Sequence, residues 1–253
     1  MHNIFESGKL TIGSWITIGN AEIAEIMSQA GFDWLTIDME HSSITIEKAQ
    51  ELIRIISLSG VLPLVRVGVN DHTLIKRVMD AGAHGVIVPM VNSKLDAEKA
   101  VGAVKYPPKG YRGVGLARAQ KYGFGFEEYK KWNELHSLVI VQVEHIQSVQ
   151  NLEAILNVDG VDGFIVGPYD LSASLGFPGE FGHPLVIDAL ERINRVAANY
   201  NTLRGFHVVP PDNNLFQEKI DAGFNFLAYS LDSIILGSSC RNMLQAVKGT
   251  LNE

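Results

Sequence analysis

Two acids in this chain stand where they could act together. Glu144 closes the apolar run Leu138–Val143, and Asp170 follows Gly163–Val166 in Val166-Gly167-Pro168-Tyr169-Asp170. If those runs are neighbouring strands, the two carboxylates meet at one edge, where repulsion forces one to keep its proton unless a cation is shared. Oxygen ligands without thiolates or a histidine cluster suit Mg²⁺ or Mn²⁺ better than a structural zinc. Two protein ligands leave further positions for water and substrate. Arg66 ends a third run at Leu64-Val65-Arg66, and His41 closes Ile37-Asp38-Met39-Glu40-His41 after a fourth. An electrophilic ion, an arginine and a histidine form a set suited to making and stabilising an enolate. Each residue also has a plainer role. Asp170 can cap the helix that begins near Leu171-Ser172-Ala173, and Arg66 can pair with Asp38 or Glu40. Glu144 and His41 can be structural, and His145 is expected to point away. Four strands delivering ionisable groups to one rim favours chemistry over these separate explanations.

What is missing narrows the chemistry. A Schiff-base lyase needs a buried lysine of lowered pKa, and none of the apolar runs carries a lysine. Cys240 is the single cysteine and falls in the last helix, which gives thiolate catalysis no support. A lone cysteine also excludes a disulfide framework or a Cys-rich zinc site within one chain and suits a reducing compartment, so a cytoplasmic location is expected. Met1–Leu10 lacks the basic and apolar regions of a secretory leader. With 28 acidic against 21 basic residues and a net charge of −7, the chain is expected to bind neither nucleic acid nor an anionic membrane. No run is long and apolar enough to span a bilayer.

The elements that must carry these side chains follow from period. Short runs rich in Val, Ile and aromatics occur at Leu10–Ile18, Asp33–Asp38, Leu62–Val67, Gly85–Val91, Leu138–Val143, Gly163–Val166, Gly205–Val209 and Phe224–Ser230. Helical spacing lies between them, as in Thr45–Leu58, Asp71–Ala81, Ser93–Val104, Ser148–Leu156, Pro184–Tyr200 and Asp212–Ala222. Buried strands alternating with amphipathic helices signify a parallel sheet. Eight repeats of about 32 residues fit a single (β/α)8 TIM barrel spanning residues 1–253. The alternative, an open doubly wound sheet, lacks its fingerprint, since Gly19-Asn20-Ala21 is not G-x-G-x-x-G.

One segment breaks the rhythm. Tyr106–Phe126 is glycine-rich and carries Lys109, Arg112, Arg118 and Lys121. It reads either as a surface excursion or as a basic flap closing over an anionic substrate, with Arg112 and Arg118 as its anion contacts.

Several motifs carry a resemblance. Gly31-Phe32-Asp33-Trp34-Leu35 with Ile37-Asp38-Met39-Glu40-His41, then Leu64-Val65-Arg66, Val88-Pro89-Met90-Val91, Arg112-Gly113, Gln142-Val143-Glu144 and Gly167-Pro168-Tyr169-Asp170-Leu171-Ser172 closely resemble the HpcH/HpaI aldolase family. These are metal-dependent (class II) pyruvate aldolases, aldehyde-lyases acting on 2-keto-3-deoxy acids such as 4-hydroxy-2-oxoheptanedioate. The similarity runs from about Gly13 to Leu244. It implies a (β/α)8 barrel in a homo-oligomer, a hexamer built as a trimer of dimers that exchange the last helix, about residues 233–249. It implies that Glu144 and Asp170 bind Mg²⁺ or Mn²⁺, with Co²⁺ a further candidate, and that Arg66 holds the pyruvate oxygens. His41 is implied to lie beside the reacting carbons, paired with Asp80, often from a neighbouring subunit. Gln142, Asp38 and Glu40 are implied to surround that centre, and the backbone amides of Tyr169 and Asp170 to hold the pyruvate carboxylate.

The sequence departs from the family pattern at Gly115-Leu116-Ala117-Arg118, Met39 and His207. Arg118 and His207 are therefore expected to touch the aldehyde half of the substrate. The resulting reading is reversible cleavage of a 4-hydroxy-2-oxo acid to pyruvate and an aldehyde. Its alternatives are an acyl-CoA lyase of the citrate-lyase β type and a non-catalytic keto-acid-binding barrel.

Overall fold

A computed structural model describes residues 8–250. Residues 1–7 of the Met1–Leu10 segment, and 251–253 at the other end of the span read as one domain, lie outside the described residues. Eight strands pair in parallel into a closed barrel in the order β1 to β8. They are β1 (Thr11–Ile16), β2 (Trp34–Asp38), β3 (Leu62–Arg66), β4 (Gly85–Val88), β5 (Leu138–Val143), β6 (Gly163–Val166), β7 (Leu203–Val208) and β8 (Phe226–Leu231). The (β/α)8 expectation holds, and closure leaves no exposed sheet edge.

The helices begin where side chains can satisfy their first amides. Asn20 caps α1 (Ala21–Ser28), Thr45 caps α2 (Ile46–Leu58), Asp71 caps α3 (His72–Ala81) and Ser93 caps α4 (Lys94–Val104). Helix α3 ends at Gly82, whose φ of 103° is the left-handed conformation that glycine adopts without penalty. After α5 (Phe126–His136), the helix expected over Ser148–Leu156 is two short ones, α6 (Ile146–Gln150) and α7 (Leu152–Leu156), broken at Asn151. His145 caps α6 in a reciprocal box with Ser148, the structural role expected of it. The remaining helices are α8 (Pro168–Ser174), α9 (Pro184–Ala197), α10 (Asn213–Asp221) and α11 (Asp232–Thr250). No helix among the described residues is long and apolar enough to cross a membrane.

Two apolar clusters divide the work. Outward-facing strand residues pack against the helices, as Ile37, Val65, Val141 and Phe206 do with Leu52, Ile53, Ile75 and Ile193. Inward-facing residues fill the barrel: Trp34, Leu64, Ile87, Ile140, Ile165 and Phe226. Trp34 stacks on Phe226 with ring centroids 4.1 Å apart and lies against Gly13, where any Cβ would enter the indole. Stepping two residues up the odd strands from Gly13, Leu64, Ile140 and Gly205 reaches Trp15, Arg66, Gln142 and His207, because successive inward positions on a strand are two apart. The interior thus changes from apolar to polar in its uppermost layer, at the C-terminal ends of the strands.

Candidate active site

That layer is the floor of a cavity of about 180 Å³ lined also by His41, Gly167, Tyr169 and Asp170. Its polar groups form two chains of contacts.

The first runs from β2 to β3. Asp38 Oδ1 accepts from the Glu40 and His41 amides at 3.0 and 3.3 Å and from Arg66 Nε at 2.9 Å, while Oδ2 accepts from Arg66 Nη2 at 2.6 Å. Burial pulls the Asp38 carboxyl upward, but its hydrogen bonds and the guanidinium charge prevail and hold it below the usual range. Arg66 therefore does pair with Asp38, the plainer of its two roles, while still lining the cavity. Nη1 makes no hydrogen bond within the described residues. The guanidinium also lies 4.4 Å from the Trp15 ring centroid and 3.4 Å from Glu40 Oε2, an ion-pair distance, although Oε2 accepts no hydrogen bond. Burial, with added repulsion from Glu144, Asp38 and Asp170, raises Glu40 to about 7 despite Arg66. His41 Nε2 is 3.9 Å from the same oxygen, and its side chain is 62% exposed.

The second chain runs from β4 to β6. Glu144 Oε1 accepts from the Met90 amide at 2.7 Å. Met90 can present that amide because the chain turns out of β4 after Pro89 with Met90 at φ 52°, a left-handed conformation uncommon outside glycine. Glu144 Oε2 accepts from Gln142 Nε2, whose amide oxygen is buried without a partner. Burial, then the neighbouring Asp170 charge, push Glu144 up against the pull of these hydrogen bonds. Gly167 lets the strands close in: a Cβ there would lie 3.3 Å from both Gln142 Nε2 and Glu144 Cβ. Asp170 sits in the first turn of α8 and makes no capping bond, so the cap explanation does not apply. Its side chain makes no hydrogen bond or ion pair within the described residues.

Not every expected residue arrives at this rim. Arg118 is corrected: its Nη1 donates to the Ala81 carbonyl at 3.0 Å, and it lines a separate hollow of about 470 Å³ with Gly82 and His84. Those residues precede β4, at the opposite end of the barrel. Arg112 is corrected too. It is buried, donates to Asp80 Oδ1 at 2.6 Å and to Tyr129 Oη at 3.0 Å, and lies 4.8 Å from the Tyr106 ring centroid. The Tyr106–Phe126 segment is pinned by it rather than hinged over the rim. Within its own chain Asp80 faces Arg112 and Gln120, not His41. Sequence reasoning did not single out Trp15, whose indole N–H is buried without an acceptor, or the Met90 amide. The inward phase of Gly13 and Trp15 on β1 was the one available signal for Trp15.

The rim thus gathers Asp38, Glu40, Glu144 and Asp170 around one guanidinium, with Glu40 Oε2 and Gln142 Oε1 left buried without partners. This donor set fits a hard divalent cation, which removes the repulsion and takes oxygen ligands. No group of three or more His, Cys, Asp or Glu side chains among the described residues has metal-ligating spacing, so Glu144 and Asp170 would hold an ion with most of its positions open.

Residues 11–238 match the HpcH/HpaI aldolase/citrate lyase family. The chain belongs to that family. It is 38% identical over 231 residues to the hydroxypyruvate/pyruvate aldolase of Roseobacter denitrificans, covering 90% of this chain and 89% of that one. It is 36% identical over 247 residues to the 2-keto-3-deoxy-L-rhamnonate aldolase of Escherichia coli (strain K12), covering 97% and 91%. The crystal structure of an HpcH/HpaI aldolase/citrate lyase family protein from Burkholderia cenocepacia J2315 superposes with a TM-score of 0.91 at 32% identity, covering 97% of each chain. As a member of the HpcH/HpaI family the chain is a carbon–carbon lyase.

Proposed function

We propose that the protein cleaves a 4-hydroxy-2-oxo acid reversibly to pyruvate and an aldehyde, with a divalent cation, Mg²⁺ or Mn²⁺, at Glu144 and Asp170. The observation that carries this reading is the excess of carboxylates over cations at a barrel's C-terminal rim, the end where such enzymes place their chemistry. A relative of 38% identity is named a hydroxypyruvate/pyruvate aldolase and one of 36% a 2-keto-3-deoxy-L-rhamnonate aldolase, which supports a 2-oxo acid substrate.

The chemistry that a divalent ion supplies here when bound is polarisation of the 2-oxo group. The chain's own residues do the rest. The amides of Tyr169 and Asp170, in the first turn of α8, have no intrahelical acceptors and bind the substrate carboxylate. Asp38 takes Nε and Nη2 of Arg66, which fixes the guanidinium and leaves Nη1 for the keto oxygen. His41 accepts the proton of the C4 hydroxyl as the general base. The C3–C4 electron pair passes into the pyruvate enolate, whose oxygen Arg66 stabilises more than it stabilised the ketone. The aldehyde leaves, and the proton held by His41 passes, directly or through water, to C3 to give pyruvate and restore the base. Gln142 and Glu40 border this centre.

The assembly implied by the family, a hexamer of helix-exchanged dimers with each chain one barrel, is part of the proposal. Leu236, Met243 and Leu244 stand exposed along α11, apolar surface that an exchanged helix buries. A cavity of about 180 Å³ suits a small keto acid better than a nucleotide-sized thioester. The test is an aldol assay with pyruvate: chelator abolishes activity, Mn²⁺ or Mg²⁺ restores it, and borohydride with pyruvate leaves the enzyme active. Inactivation by borohydride overturns the proposal, since it shows a lysine imine.

A further inference from the structure

We propose that His207 selects the aldehyde half of the substrate, its Nδ1 accepting a hydrogen bond from a hydroxyl on an uncharged hydroxyaldehyde. The inference rests on the aldolase reading above and names the substrate class of that same site.

Two features fix the ring. Nε2 lies 3.1 Å from the Ser230 carbonyl oxygen, which can only accept, so Nε2 carries the hydrogen. The ring stacks on Trp15 with centroids 5.2 Å apart and planes at 26°. The Ser230 carbonyl is aimed inward by a local departure from the ladder. Gly13 pairs with Ala228 but Trp15 pairs with Leu231, so Ser14 alone faces Tyr229 and Ser230, and β8 bulges there. Ser230 takes φ 56°, and Ser14 Oγ donates to the Tyr229 and Ser230 carbonyls at 2.9 and 3.2 Å. A non-glycine residue held at such a φ costs on the order of 1–3 kcal/mol, and such strain clusters at functional sites.

With Nε2–H committed, Nδ1 is the ring's remaining polar atom. It makes no hydrogen bond within the described residues, and the ring lines the cavity. Burial, reinforced by the Arg66 charge, pushes the imidazole down to about 4 although its bond to Ser230 pulls upward. Nδ1 is therefore a lone-pair acceptor at neutral pH. Such an acceptor is satisfied by an O–H, left unpaired by an alkyl group and repelled by a carboxylate.

The surrounding charges agree. Arg66 is the one arginine lining the cavity, and no lysine does; it is already paired with Asp38 and Glu40. Arg118 is held at the other end of the barrel, and Lys219 lies over Phe206, on the outer face of β7, 4.6 Å from its centroid. Within that cavity no basic group is left over to balance a second carboxylate, Lys219 lining only the adjoining hollow of about 460 Å³ that His207 also borders, whereas a neutral hydroxyaldehyde meets a ready acceptor at Nδ1.

Lactaldehyde and propanal differ by one hydroxyl, and succinic semialdehyde carries the second carboxylate. The Mn²⁺-loaded wild-type enzyme, His207→Leu and His207→Gln are each assayed with pyruvate and these three aldehydes, while exchange of pyruvate methyl protons in deuterated water is followed in the same samples. The lactaldehyde-to-propanal ratio of kcat/KM is expected to fall about tenfold in His207→Leu, through the KM for lactaldehyde. It is expected to survive in His207→Gln, whose amide oxygen also accepts, and succinic semialdehyde is expected to be the poorest wild-type substrate. A ratio unmoved by His207→Leu, or a wild-type preference for succinic semialdehyde, overturns this inference while continued proton exchange leaves the aldolase reading standing. Absence of exchange in the wild type overturns both. If His207→Leu does not fold, the wild-type ranking and His207→Gln decide.

Discussion

Two regions of this barrel bury charge, and they do it differently. Between α3 and the Tyr106–Phe126 segment, Asp80 and Arg112 match one for one, with Gln120 and Tyr129 completing the contacts and one Arg112 atom, Nε, left over. At the rim, Asp38, Glu40, Glu144 and Asp170 share a single arginine. A balanced pair holds chain segments together and asks for nothing more. An unbalanced cluster leaves carboxylates without a counter-charge, and under the proposed function that imbalance is the mark of a metal-binding rim. Size is a poorer guide, since the hollow of about 470 Å³ beside Arg118 and His84 exceeds the rim cavity of about 180 Å³ and gathers no such cluster.

The comparison breaks most visibly under Glu144→Gln. Turnover is expected to fall by about 10²–10³-fold, the scale of removing a group that supports transition-state charge, while the melting temperature holds or rises because a buried repulsion is relieved. Unchanged kcat with a lower melting temperature contradicts the assignment. Arg112→Met is the converse: removing one partner of a buried pair costs about 3–5 kcal/mol of stability, read by urea unfolding, with kcat retained by the folded fraction. Loss of turnover in Arg112→Met without loss of stability places that cluster in the chemistry instead.

A third effect is smaller. At about 100 times its Kd, Mn²⁺ is expected to stabilise the wild type by about 2.7 kcal/mol and Glu144→Gln hardly at all, as thermal unfolding reads directly. Last is the effect of pH on the metal-free protein. Glu40 rises from 4.5 to about 7 on folding, so the folded state holds that proton more tightly, and the stabilisation it confers is full below about 4.5 and lost as pH climbs through 7. Glu40→Gln is expected to flatten unfolding free energy between pH 5 and 8, and an unchanged slope speaks against the cluster's repulsion.

The strands and the acids at their ends were legible because both are local signals. Apolar runs fix strand positions, a parallel barrel turns C-terminal strand ends into a rim, and Glu144, Asp170, Asp38, Arg66 and His41 follow directly. What stayed hidden depends on contacts distant in sequence or on backbone twists. Arg112 looked like a mobile anion contact until its partner 32 residues away was in place. Arg118 belonged to the same basic segment, yet the fold carries it to the other end. The Met90 amide reaches Glu144 through a left-handed residue, and the Ser230 carbonyl reaches His207 through a bulge; neither has a mark in the residue pattern. Trp15 lay unremarked within the apolar run Leu10–Ile18, and its indole N–H matters because the layer it occupies is the one where the interior turns polar.

The most direct measurement is a crystal grown with Mn²⁺ and oxalate, a flat dicarboxylate that stands in for the enolate, examined by anomalous diffraction at the manganese edge. A single strong peak is expected between the Glu144 and Asp170 carboxylates, with oxalate completing its ligands on the cavity side. A metal bound elsewhere, or those two side chains turned apart with nothing between them, contradicts the proposed function.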